Sequence, residues 1–332
     1  MLRKFLLFTL LITLLAACAP QSTPTVAPVA TAMPPTEAPA TEAPATEAPT
    51  EPAAQTGLTV TDGLGREVTL NEVPQHIISL APSNTEILFA IGAGDQVVGR
   101  DALSDFPEEA KGATDIGSTF DALNTELIVS LKPDLILAAE INTPEQVKQL
   151  EDLGLTVYYL KNPLTLEEMY GNLELVAQLT GHEEDAAALI ESLKARVAAV
   201  DEKIAPISSR PGIFYELDAT DPSKPYTAGK GTFITQLIDR AGGYNIAADL
   251  DGYPQMSLEQ VVAADPAFII LGDARYGVSP ESIAQRPGWE NLSAVKNGQV
   301  LPFNDDLVSR PGPRLVDALE ELAKLLRPEL FQ

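Results

Sequence analysis

The segment EEDAAALIESLKARVAAVDEKIA, residues 183–205, has the apolar spacing of one long amphipathic helix. Its apolar residues recur every third or fourth position, which places these side chains on one stripe: Ala186, Leu189, Ile190, Leu193, Val197, Val200 and Ile204. His182 precedes the segment and Pro206 follows it, so we predict a helix of about 23 residues, roughly 35 Å long. Segments of similar size lie on both sides, and we interpret the helix as a spine between two lobes.

Strand and helix patterns alternate on both sides of this spine. Short apolar runs such as residues 77–80 and 135–138 alternate with helix patterns, and the same order returns after Pro211. This alternation predicts an α/β fold in which each lobe has a mainly parallel sheet covered by helices. The predicted parts are an N-terminal lobe at 57–182, a spine helix at 183–205 and a C-terminal lobe at 206–332.

Three local patterns predict individual elements. Residues 58–61 and 67–70 have the alternation of a short β-hairpin, with glycines between them. Ser83 and Glu86 have the spacing of a capping box that begins a helix. Residues 315–326 predict an amphipathic helix near the C-terminus.

Composition limits the possible partners. The chain has 332 residues, of which 45% are hydrophobic and 21% charged, enough for two globular lobes. A formal net charge of −25 repels phosphate backbones, so we expect no nucleic-acid partner. One cysteine excludes an internal disulfide, and two histidines without neighbouring ligands argue against a structural metal site. We expect no metal, no cofactor and a monomer.

The first 56 residues have the pattern of an export signal and a tether. Basic residues precede an apolar run at 5–17, which is short for a membrane span. Residues 15–18, LAAC, resemble the lipobox of bacterial lipoproteins, in which the signal is cut before a cysteine that is then lipidated. The alternative is a secretory signal with an incidental cysteine. We predict a signal peptide at 1–17, a lipidated Cys18, and membrane attachment through this anchor alone.

Residues 18–56 predict a disordered tether. They are rich in Pro, Thr, Ala and Glu and contain the repeat TEAPA-TEAPA-TEAPT. Such a segment buries too little apolar surface to offset its conformational entropy, so it stays extended. At about 3.1 Å per residue its upper length is roughly 120 Å. The folded part is then held outside the cell membrane.

An internal repeat links the two lobes. Phe120 lies six residues before Glu126, and Tyr253 lies six residues before Glu259, 133 positions further along the chain. In both copies Asn or Ser stands two residues before the glutamate and proline seven residues after it. A favourable helix start explains each glutamate separately. It does not explain the matched aromatic residues.

Five motifs together resemble the substrate-binding proteins of cobalamin and iron-chelate ABC importers: SLAPSNTE at 79–86, SDFP at 104–107, the segment at 126–137, YPQ at 253–255 and SRPGPR at 309–314. The resemblance spans about residues 57 to 328. It implies two α/β lobes bridged by one rigid helix, a ligand held between the lobes, and no enzymatic activity. The implied partner is an ABC permease dimer with its ATPase.

The resemblance also assigns residues. It implies that Phe120 and Tyr253 form opposite walls of the ligand cleft, and that the base or rim holds Pro82, Asp306 and Arg310. Leu103 and Ala139 depart from the cobalamin-binding pattern, in which aromatic residues are expected. For docking, it implies that Glu126 and Glu259 meet arginines of the two permease subunits.

Two residues outside these motifs are also candidates. Tyr226 follows an Asp-Pro loop and is a further candidate for the cleft. For Trp289 a core position is the main interpretation and a ligand contact is the alternative.

Aromatic walls with few basic groups favour a large, flat, nearly neutral ligand such as a corrinoid. A ferric siderophore or haem is the alternative. An enzyme on a doubly wound fold is the rival class, but the sequence has no nucleophile elbow, zinc-ligand spacing or phosphate loop.

Overall fold

The computed structural model describes residues 57–120 and 122–332. The predicted signal peptide, the lipidated Cys18 and the tether lie outside the described residues. Among the described helices, none is long and apolar enough to cross a membrane.

The N-terminal lobe is built on a five-stranded parallel sheet with strand order β5-β4-β3-β6-β7. Its elements are β1 Leu58–Thr61, β2 Glu67–Leu70, β3 Ile77–Ser79, α1 Pro82–Ala90, β4 Val97–Arg100, β5 Thr114–Asp115, α2 Thr125–Ser130, β6 Leu135–Ala139, α3 Pro144–Asp152, β7 Val157–Leu160 and α4 Leu166–Thr180. Strands β1 and β2 form the predicted hairpin, with Leu58 opposite Leu70.

One long helix, α5 Glu183–Ile204, follows the N-terminal lobe. Its 22 residues correspond to roughly 33 Å at 1.5 Å per residue. Six of the seven predicted stripe residues are buried, and Leu189 is half-buried. The predicted spine helix is therefore confirmed.

The C-terminal lobe repeats the architecture of the first. Its sheet has strand order β10-β8-β11-β12, and a short antiparallel strand, β9, pairs with β8. Its elements are β8 Gly212–Asp218, β9 Tyr226–Thr227, α6 Phe233–Arg240, β10 Tyr244–Asn245, α7 Leu258–Ala264, β11 Phe268–Leu271, α8 Pro280–Ala284, α9 Ser293–Lys296, β12 Val300–Pro302, α10 Asp306–Ser309 and α11 Leu315–Leu326.

A single apolar core connects the two sheets through α5. The cluster includes Ile87 of the N-terminal lobe, Ile190 and Val197 of α5, and Ile213 and Leu319 of the C-terminal lobe. Each sheet also has a separate core on its other face. Because the shared core is continuous, a rotation of one lobe against the other exposes apolar surface to water.

The start of α1 differs from the sequence prediction. The helix begins at Pro82, and Ala81 occupies the N-cap without a side-chain cap. Ser83 and Glu86 are both buried, and the Glu86 carboxylate accepts hydrogen bonds from Arg314 instead of the helix backbone. The predicted capping box is wrong because Glu86 forms an ion pair with Arg314 of the other lobe and does not bond to the backbone at the helix start.

Candidate functional site

The loops that follow the parallel strands meet between the two lobes. In open α/β sheets, ligands bind outside the carboxyl ends of the strands. Here two adjoining hollows lie at this edge, and they share three lining residues, Asn162, Ser309 and Pro311. We call the pair of hollows the cleft.

The first hollow, the Phe120 hollow, has a volume of about 230 Å³. It brings together four of the predicted ligand-binding residues: Pro82, Phe120, Asp306 and Arg310. Leu103, which departs from the cobalamin-binding pattern, also lines it. The hollow therefore combines residues from both lobes.

The second hollow, the Tyr253 hollow, has a volume of about 300 Å³ and is lined by Tyr253 together with Leu217 and Phe233. Partial burial raises the pKa of Tyr253, and the carboxylates of Asp305 and Glu140 raise it further. Since Glu140 belongs to the N-terminal lobe and Asp305 to the C-terminal lobe, Tyr253 lies between the two. Together the hollows reach the roughly 300–1,000 Å³ of small-molecule sites.

Three large aromatic side chains of the cleft are unusually exposed. Phe120 is 66%, Tyr253 53% and Tyr276 78% exposed, whereas aromatic side chains of this size are usually well buried. Phe120 belongs to the N-terminal lobe, and the two tyrosines belong to the C-terminal lobe. The cleft thus presents flat apolar surfaces from both sides.

The arginines of the cleft are already paired with carboxylates. Arg275 forms an ion pair with Asp306. Arg310 is buried, with Nη1 2.6 Å from Asp105 Oδ1 and 3.5 Å from Glu86 Oε1, and with Nη2 3.4 Å from Asp306 Oδ1. The positive charge of both guanidinium groups is therefore compensated within the protein.

The structure places Tyr226 and Trp289 outside these hollows. Tyr226 lies on β9, is 46% exposed, and forms a β-bridge with Gln255. It does not line either hollow, so its ligand contact stays a prediction. Trp289 is fully buried, its ring lies tilted against that of Phe214 with the centroids 6.0 Å apart, and it donates a hydrogen bond to the Pro222 carbonyl. The core position is the correct interpretation for Trp289.

Sequence reasoning missed several lining residues, among them Arg275, Tyr276, Ile141 and Asn162. Arg275 and Tyr276 follow β11 directly, in a 3₁₀ turn. Both residues could have been predicted from their position, because residues that follow the carboxyl end of a parallel strand commonly line the ligand site.

The predicted docking glutamates, Glu126 and Glu259, occupy equivalent positions in the two lobes. Glu126 lies in the first turn of α2, which is capped by Asn124, and Glu259 lies in the first turn of α7, which is capped by Ser257. Both glutamates are exposed. These helices lead into β6 and β11, so their starts lie at the carboxyl edges of the sheets. Contact with a permease stays a prediction.

A buried carboxylate pair includes Asp273, which belongs to the same 3₁₀ turn as Tyr276. Asp273 is 4% exposed and adjoins Glu216, which receives two hydrogen bonds from Arg286 at 2.6 and 2.9 Å. Burial and the neighbouring Glu216 carboxylate raise the pKa of Asp273 to about 7. Between about pH 4 and pH 7, the native state therefore keeps a proton on Asp273 that the unfolded chain, with an ordinary Asp pKa of 3.8, releases.

Protonation of Asp273 in the folded state predicts that the stability of the protein depends on pH. Because the folded-state pKa of Asp273 is raised, the contribution of this residue to the free energy of unfolding falls as the pH rises from about 4 to about 7. Asp273→Asn cannot ionise but keeps a donor for Glu216, so we expect its melting temperature to exceed that of the wild type at pH 8. The difference should shrink at pH 5. Equal differences in thermal melts at both pH values would contradict the pairing.

Two other observations favour the cleft as the ligand site. A further hollow, of about 540 Å³, lies between α4 and α5. Its lining has no aromatic residue and consists of small, aliphatic, acidic and amide side chains together with Lys194. Among residues 57–120 and 122–332, no group of three or more His, Cys, Asp or Glu side chains is placed to hold a metal ion.

Comparison with known proteins identifies the family. The family model described as periplasmic binding protein matches residues 77–307. A relative from Bacillus subtilis, named as the uncharacterized ABC transporter substrate-binding lipoprotein YvrC, is 36% identical over 280 residues, which cover 83% of this chain and 87% of the relative. The chain belongs to the periplasmic binding protein family. This confirms the resemblance to substrate-binding proteins of ABC importers.

Similar solved structures support the two-lobed fold. The periplasmic vitamin B12-binding protein BtuF of Vibrio cholerae is 31% identical, with a TM-score of 0.65 over 78% of this chain and 99% of that one. The periplasmic haem-binding protein RhuT from Roseiflexus is 28% identical, with a TM-score of 0.69 over 77% and 99%. The fold class predicted from the sequence is therefore confirmed.

Proposed function

We propose that this periplasmic binding protein captures a corrinoid such as cobalamin in the cleft and delivers it to an ABC permease. Ligand binding is assigned to Pro82, Phe120, Tyr226, Tyr253, Asp306 and Arg310. To these we add Tyr276, which lines the Phe120 hollow. No chemical step is assigned to the protein.

The observation that carries this proposal is the combination of exposed aromatic rings with compensated arginines. Phe120 and Tyr276 offer flat surfaces to a macrocycle. An anionic ligand gains most from unpaired guanidinium groups, whereas Arg275 and Arg310 are already bound to carboxylates. A corrinoid bears mostly neutral amide side chains, which suit such a site.

Haem or a ferric siderophore is the second candidate. The similarity to RhuT favours haem, because that structure is of a haem-binding protein. A haem carries two carboxylates, so it has to displace Asp306 from Arg275 or remain without a cationic partner. The paired arginines therefore favour the corrinoid.

Calorimetric titration of the purified protein with cyanocobalamin, haemin and a ferric hydroxamate tests this proposal. We expect one equivalent of cyanocobalamin to bind at least tenfold more tightly than either iron chelate, a difference of about 1.4 kcal/mol. Tighter binding of haemin or of the hydroxamate would reject the corrinoid. Because Trp289 is buried away from the cleft, heat is a better signal than its fluorescence.

We further propose that the protein is attached to the membrane through a lipidated Cys18 and a tether at 18–56, after removal of residues 1–17. A name containing "lipoprotein" for the Bacillus relative supports this. Growth with radiolabelled palmitate is expected to label the wild type and not Cys18→Ala. Equal labelling of both proteins would contradict the anchor.

A small change in lobe orientation on binding is a further expectation. The core shared through α5 has to be disrupted before the lobes can rotate far. We therefore expect small-angle scattering to give nearly the same radius of gyration with and without saturating cyanocobalamin. A large decrease would show that α5 does not hold the lobes rigidly.

A further inference from the structure

A buried cluster of ion pairs joins the two lobes beneath the cleft. Its central acid is Glu86 on α1 of the N-terminal lobe, whose side chain is 1% exposed. Arg314, at the start of α11 in the C-terminal lobe, donates to it twice, from Nε to Oε2 at 2.7 Å and from Nη2 to Oε1. Arg310 Nη1 lies 3.5 Å from Oε1. One carboxylate of one lobe therefore holds two guanidinium groups of the other.

A loop of the N-terminal lobe strengthens this connection. Asp105 accepts a hydrogen bond of 2.6 Å from Arg310, and the centroid of the Phe106 ring lies 4.0 Å from the Arg314 guanidinium carbon. The same loop carries Leu103, which lines the Phe120 hollow. The ion pairs and the cleft wall thus share one short segment.

The segment that pairs with Glu86 also forms the base of the cleft. Arg310 and Pro311 line the Phe120 hollow, and Pro311 lines the Tyr253 hollow as well. A Cβ atom added to Gly312 would lie 3.6 Å from the Ser83 carbonyl oxygen, so the segment lies directly on α1. Movement of Glu86 relative to Arg314 therefore changes the cleft itself.

Stability alone does not account for such a cluster. Desolvation of buried charges offsets most of their attraction, and apolar residues of similar volume often serve stability as well. A multiply bonded guanidinium, in contrast, fixes distance and angle. We propose that Glu86 is a positioning residue, which sets the separation of the lobes and the width of the cleft through Arg310 and Arg314.

Spin-label distances between the lobes test this proposal. The full chain carrying Cys18→Ala receives cysteines in place of Lys148 on α3 and Lys296 on α9, both of which are exposed. Glu86→Leu combined with Arg314→Met removes the central pair but leaves Arg310 bonded to Asp105. We expect the melting temperature to change little, the distance distribution to broaden, and the affinity for cyanocobalamin to fall about tenfold.

Arg196→Met combined with Glu320→Leu is the matched control, since it also removes one acid and one base. Arg196 also binds two carboxylates, Asp317 and Glu320, but it joins α5 to α11 away from the cleft. We expect this variant to keep the distance distribution and the affinity of the wild type. A Glu86/Arg314 variant that keeps the wild-type distribution, or that broadens it without losing affinity, would overturn the positioning role.

The inference that cleft width matters for ligand affinity rests on the proposed function. The spin-label distance measurement does not require a ligand. If the parent protein fails to bind cyanocobalamin, the corrinoid proposal fails. The affinity comparison then uses the chelate that binds in the calorimetric panel. The two failures are therefore distinguishable.

Discussion

The double variant Glu126→Arg/Glu259→Arg is expected to abolish uptake of the ligand while its affinity for the purified protein stays unchanged. Both glutamates are exposed, in the first turns of α2 and α7, and neither lines the hollows of the cleft. If they contact arginines of the two permease subunits, the reversal sets like charges together at both contacts. Uptake of radiolabelled cobalamin by cells that carry the cognate permease measures the effect.

The chain offers a matched control for this charge reversal. Glu145 and Glu281 also lie two residues after the N-caps of their helices, α3 and α8, one in each lobe. Glu145→Arg/Glu281→Arg therefore makes the same change in net charge and in helix-dipole interactions, typically about 0.3 to 1 kcal/mol per site. We expect uptake to persist in this control. Normal uptake by the Glu126/Glu259 variant would show that both residues only stabilise the starts of their helices and do not contact the permease.

Removal of either aromatic wall is expected to weaken ligand binding strongly without unfolding the protein. Loss of a stacked ring at a buried interface costs about 1 to 3 kcal/mol, which corresponds to roughly 5- to 150-fold in affinity. Because Phe120 and Tyr253 are more than half exposed in the free protein, Phe120→Ala and Tyr253→Ala should leave the melting temperature nearly unchanged. Calorimetric titration together with thermal melts measures both quantities.

Tyr244→Ala serves as the control for the loss of an exposed ring. Tyr244 is 48% exposed and pairs with Gly212, the first residue of β8, at the amino edge of the same sheet. We expect this variant to bind like the wild type. A destabilised Tyr253→Ala protein with unaltered affinity would show that Tyr253 has a role in the core instead.

Local periodicity explains which parts of the fold were predictable. The apolar stripe of α5 and the alternation of the hairpin are determined by neighbours a few residues apart, and both were found at the predicted positions. The caps at Asn124 and Ser257 belong to the same class. Such signals depend on backbone geometry that is the same in any fold.

Tertiary contacts explain the rest. Glu86 has the spacing of a capping box, yet its partners Arg310 and Arg314 lie 224 and 228 residues away. Tyr276 lies in a 3₁₀ turn without a periodic pattern, and its position in the cleft depends on the packing of both lobes. Contacts between residues so far apart in the chain cannot be predicted from the local pattern of a single sequence.

A crystal structure of the protein with cyanocobalamin would test the location of the ligand most directly. We predict the corrin ring between Phe120 of one lobe and the tyrosines of the other, with the Arg310–Glu86 and Arg314–Glu86 pairs retained beneath it. A corrinoid in the groove between α4 and α5, or bound at the cleft without contact to Phe120 and Tyr253, would contradict the assignment.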